Sequence, residues 1–99
     1  MPPETPPSGA PYDASRPYAL HPQVALRPES FGALAYHFGT RRLSFLKSRT
    51  LLDVVEQLAD QPSGIAACRA AGVPETELGA YERALATLAD SGMICERVA

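Results

Sequence analysis

Ala33–Lys47 reads ALAYHFGTRRLSFLK, and its alternation decides the fold. Leu34, Tyr36 and Phe38 fall on one face of an extended chain, with small or polar residues between them, which is the period of a strand. Gly39-Thr40 follows, and a glycine at the first loop position suits a type II′ hairpin. Arg42–Lys47 (RLSFLK) is then the returning strand. A two-residue loop pairs Phe38 with Arg41, His37 with Arg42, Tyr36 with Leu43, Ala35 with Ser44, and Leu34 with Phe45. In that register the large apolar residues meet on one face. The small or polar ones, His37 among them, meet on the other, which the pattern assigns to solvent; a slip of one residue would mix the faces.

The neighbouring segments extend this hairpin in both directions. Upstream, Gln23–Arg27 (QVALR) alternates between Pro22 and Pro28, as a short edge strand does. Downstream, SRTLLDVVEQLAD reads as a helix capped by Ser48 or Thr50, with Leu51, Val54, Val55 and Leu58 as its buried stripe. Ser63 starts a second, short helix that Gly72 stops. Pro74 opens a third, with Glu75 and Glu77 where the helix dipole favours acids, and with Leu78, Tyr81, Leu85 and Leu88 on its apolar side. Gly92 ends it, and Met93 and Ile94 are expected to pack back onto the core. The order implies an α+β domain: a three-stranded antiparallel meander followed by three helices, winged-helix-like, over residues 21–97.

Composition bounds what such a domain does. The chain has 99 residues, room for one small domain. Eight of its ten prolines fall within the first 28 residues, so residues 1–20 are expected to be a disordered Pro-rich tail. Net charge is −2, which makes no general electrostatic case for nucleic acid or a membrane surface. The distribution is uneven: Arg41, Arg42, Lys47 and Arg49 are four of nine basic residues, and no acid lies between Ser30 and Leu52. There is no signal-peptide pattern and no apolar run near the ~20 residues that span a bilayer, so a cytoplasmic protein is expected.

Groups able to carry a reaction are few. His21 and His37 are the only histidines, and no pair has metal-ligand spacing. Phosphate loops and nucleophile elbows are missing. Cys68 and Cys95, without close spacing, read as packed thiols rather than nucleophiles. A non-catalytic protein without a cofactor is therefore expected.

The run HPQVALRPESFGALAYHFGTRRLSFLKSRT, His21–Thr50, with the three helices after it, resembles the mycofactocin biosynthesis chaperone family. That family is one of the RiPP recognition elements and is similar to the small peptide chaperone of pyrroloquinoline quinone biosynthesis. The resemblance implies a protein that binds the leader of a ribosomally made precursor peptide and delivers it to a radical S-adenosylmethionine maturase. It further implies that the leader adds antiparallel to the third strand, here Arg42, Leu43, Ser44, Phe45, Leu46 and Lys47. The cleft it occupies would be closed by the third helix, through Tyr81, Leu85 and Leu88.

Backbone parity then decides which groups hold the peptide. With a two-residue loop, Leu43 and Phe45 bond inward, and Arg42, Ser44 and Leu46 face outward. With a four-residue loop, the outward set becomes Leu43, Phe45 and Lys47. Gly39 at the first loop position favours the former. The cationic band would attract an acidic leader.

Two other readings remain open. The second and third helices could be a helix-turn-helix of a winged-helix DNA binder, although Glu75, Glu77 and Glu82 would then face phosphates. Alternatively, the chain could be a structural subunit of the maturase that holds no peptide. An unoccupied edge strand could also pair with its own copy as a homodimer.

Overall fold

The computed structural model describes residues 12–97. Five strands and three helices follow in the order β1 (Tyr18–Leu20), β2 (Val24–Glu29), β3 (Gly32–His37), β4 (Leu43–Leu46), α1 (Arg49–Gln57), α2 (Gly64–Ala70), α3 (Leu78–Asp90) and β5 (Ile94–Glu96). The expected antiparallel meander is β2-β3-β4, with β4 at one edge. A second, two-stranded sheet joins β1 to β5. Neither of its strands was expected, because each is three residues long and has no partner nearby in sequence. Tyr18 and Ile94 are buried there, so part of the segment assigned to the tail belongs to the core. The earlier tail residues, 1–11, lie outside the described range.

Helices α1 and α2 begin where the sequence supplies a cap, whereas α3 starts without a side-chain cap. The Ser48 side chain accepts from the Leu51 N–H at 3.0 Å, and that of Ser63 from the Ala66 N–H at 3.0 Å. The expected stripe of α1 is buried, as are Leu78, Leu85 and Leu88 of α3. Residues Glu75–Glu77 form a 3₁₀ turn before α3 rather than its first turn. Gly72 and Gly92 take positive φ, 88° and 82°, at the two helix ends where a left-handed residue is needed.

The hairpin register agrees with the sequence: Leu34 faces Phe45, Ala35 faces Ser44, and Tyr36 faces Leu43. Its orientation does not. The buried side of the sheet is the small-residue side, Ala33, Ala35, His37 and Leu46, while Leu43 and Phe45 are exposed. Close approach of α1 explains the inversion: alanines admit a helix against the sheet where Leu34 and Tyr36 would hold it off. His37, expected on the surface, is consequently buried.

The loop also departs from expectation. His37 N–H donates to the Arg42 carbonyl at 2.9 Å, and Arg41 N–H donates to the His37 carbonyl at 2.7 Å. Phe38–Arg41 is thus a four-residue loop, closed by Arg41 in the left-handed region at φ 62°. The cause lies in the buried imidazole. His37 Nδ1 accepts from Gly39 N–H at 3.0 Å and from Thr40 N–H at 3.1 Å, satisfying two loop donors that a type II′ turn would have placed elsewhere.

Candidate functional site

Loop length sets which backbone groups of β4 are free. Phe38 N–H donates to the Gln23 carbonyl at 2.8 Å, while His37 bonds Arg42. Along β3 the bonding direction alternates from residue to residue, so His37, Ala35 and Ala33 bond toward β4. Their partners Arg42, Ser44 and Leu46 use their N–H and C=O groups inside the sheet. The groups of Leu43, Phe45 and Lys47 therefore point away from it. This is the four-residue alternative; the preferred set of Arg42, Ser44 and Leu46 is corrected, because the His37 imidazole lengthens the loop by two residues without changing the register.

Beside this edge lies an apolar groove lined by Lys47, Ser48, Leu51, Ala80, Tyr81 and Ala84. It runs between the start of α1 and one side of α3. Ala80 and Ala84 stand one turn apart, and their missing side-chain volume leaves the space that half-buried Tyr81 borders. Of the residues expected to close the cleft from α3, Tyr81 lines it, whereas Leu85 is fully buried and Leu88 nearly so, as parts of the core. Leu46 is likewise a core side chain, and Ser44 is half-buried. Leu51, Ala80 and Ala84 are not among the groove residues expected from sequence. Leu51 looked like ordinary helix core, and alanine carries no pattern signal of its own.

Arg41, Arg42, Lys47 and Arg49 are all exposed, and none forms an ion pair among the described residues. Ion pairs join other groups, such as Arg69 to Glu75 at 3.1 Å. The hairpin tip and the start of α1 thus carry cationic charge on either side of the open edge.

The thiols are poor nucleophiles. Burial, and then the Glu82 carboxylate, push the Cys68 thiol up, and burial does the same to Cys95. Among the described residues, no three His, Cys, Asp or Glu side chains are grouped to hold a metal. No helix among them is long and apolar enough to cross a membrane.

An open strand edge beside an apolar groove, with both thiols held toward their neutral form by burial, defines a small binding domain of α+β architecture. The profile of the Peptide chaperone MftB family matches residues 17–95, and the chain belongs to that family. It is 57% identical over 86 residues to the peptide chaperone MftB of Mycobacterium tuberculosis, covering 87% of this chain and 79% of that one. To the peptide chaperone MftB of Mycobacterium ulcerans it is 59% identical over 83 residues, 84% of this chain and 76% of the relative. The corresponding protein of Mycolicibacterium smegmatis is 52% identical over 83 residues, with 84% and 81% covered. No solved structure matches the chain.

Proposed function

We propose that this protein is a non-catalytic precursor-peptide chaperone of mycofactocin biosynthesis, which takes the peptide's leader as an added strand on β4 and presents it to a radical S-adenosylmethionine maturase. The observation that carries the reading is the outward set of Leu43, Phe45 and Lys47 backbone groups beside the Leu51–Tyr81 groove. Main-chain bonds to an edge hold any extended peptide, and the groove selects among side chains. The relatives' name, peptide chaperone, supports capture of a peptide rather than its chemical change. The unpaired cations favour an acidic leader, chiefly through faster encounter, since an exposed ion pair contributes only ~0.2–1 kcal/mol.

Fluorescence anisotropy of a labelled synthetic leader of a mycofactocin precursor peptide tests the reading. Saturable binding is expected for the native leader and none for a scrambled one. Binding of neither, with the maturase present as well, would refute peptide capture.

A further inference from the structure

A strand added to β4 would send alternate side chains to opposite faces of the sheet. Residues directly opposite one another on neighbouring strands share a face. Peptide residues opposite Ser44 and Leu46 therefore point toward the core side, where the groove lies. Those opposite Leu43 and Phe45 point to the other side, and that side is not polar. Leu43 is 54% exposed and Phe45 57%, and Phe31, 48% exposed, stands edge-on to Phe45 with ring centroids 6.1 Å apart. Half-buried Leu34 and Tyr36 continue the surface across β3. Native edge strands usually carry charge on such a face, because an apolar one invites aggregation. Here the charges stand at its two ends, with Arg41 and Arg42 at the hairpin tip and Lys47 and Arg49 beyond the last strand residue. An occupant of this edge can be apolar in its middle and acidic at its flanks.

We propose that the captured leader segment is apolar on both faces. It is a run opposite Leu43–Lys47, roughly 13 Å of extended chain, in which one set of alternate side chains enters the Leu51–Tyr81 groove and the interleaved set packs on Leu43 and Phe45, with carboxylates beyond either end. This rests on strand addition at β4 and adds a second specificity surface to it. A leader with apolar residues only at every second position satisfies the groove and leaves the outer shelf uncovered.

The test combines variants with a serine scan of the labelled leader. Phe45→Thr and Leu43→Thr place a β-branched residue, which suits a strand, at exposed positions, so the fold should persist by circular dichroism and melting temperature. Each is expected to weaken binding by roughly tenfold, the effect of leaving half an aromatic or Leu side chain uncovered. The scan should find sensitive positions adjacent to one another. Unchanged affinity for both variants, with sensitivity only at every second leader position and with Tyr81→Ala still weakening binding, would overturn the second surface and leave strand addition standing. If Phe45→Pro binds the leader as well as Phe45→Ala does, strand addition and this inference fall together. If Phe45→Thr instead dissociates a dimer seen by sedimentation and leaves leader affinity unchanged, the shelf belongs to a second copy and the inference is overturned.

Discussion

Proline placed at two adjacent positions of β4 should have opposite consequences. The Phe45 N–H points away from β3, so Phe45→Pro removes a donor from the open edge and none from the ladder with β3. Phe45→Ala is the reference, since it removes the same ring and keeps the N–H. One edge hydrogen bond is worth ~0.5–1.5 kcal/mol net, a loss of roughly 2- to 13-fold in affinity. The pyrrolidine ring also fills the space where the peptide carbonyl would sit, which pushes the effect toward the upper end. Melting temperatures of the two variants should agree within a few degrees. Ser44→Pro, by contrast, deletes a bond to Ala35 inside the sheet over a buried face. An unmet ladder carbonyl costs about 1–3 kcal/mol, which for a domain this size lowers the melting temperature by on the order of 10 °C. Leader titration by anisotropy with thermal melts of all three variants reads both effects. Equal leader affinity for folded Phe45→Pro and Phe45→Ala would refute strand addition at β4, and a stable Ser44→Pro would refute the parity.

Four further outcomes are expected. Tyr81→Ala, at a half-buried residue that lines the groove and packs against the core, should weaken leader binding by ~1–2 kcal/mol and lower the melting temperature by several degrees while the domain stays folded at the assay temperature, as titration calorimetry and a melt would record. Gly32 has φ 151°, and a Cβ there would meet the Leu46 carbonyl and the Ser48 backbone at 2.9 Å; Gly32→Ala should therefore cost at least ~1–3 kcal/mol in urea unfolding. Arg41→Gln with Arg42→Gln should slow association and flatten its salt dependence while leaving dissociation nearly unchanged, by stopped-flow at two ionic strengths. The His21 imidazole, stacked on His37 at 4.4 Å, is held below its ordinary value of 6.5 by burial and then by His37. Well above pH 6.5 both states are neutral at this site and its contribution is complete; as pH falls the unfolded chain binds the proton first, so stability should decline until the pH passes the depressed folded value, and His21→Gln should reduce that slope in urea midpoints from pH 8 to 5.

Local signals made much of this protein legible from its sequence. The Leu34–Phe45 register follows from matched alternation on two adjacent segments, and the helix starts follow from Ser48 and Ser63, whose side chains act within three residues. The buried stripe of α1 repeats at the helical period, so no knowledge of its partner was needed to find it. Tertiary packing decided the rest. Whether the large or the small face of the hairpin is buried depends on how closely α1 can approach, and Ala33 and Ala35 settle that in favour of the small face. The loop length depends on where the His37 ring points, and only a buried ring is placed to accept from both Gly39 and Thr40. Strands β1 and β5 stabilise each other from opposite ends of the chain, a pairing that no local window contains. The open edge follows from the same cause: alternation names the residues of β4, but which of their backbone groups face outward was set by an imidazole turned toward the core.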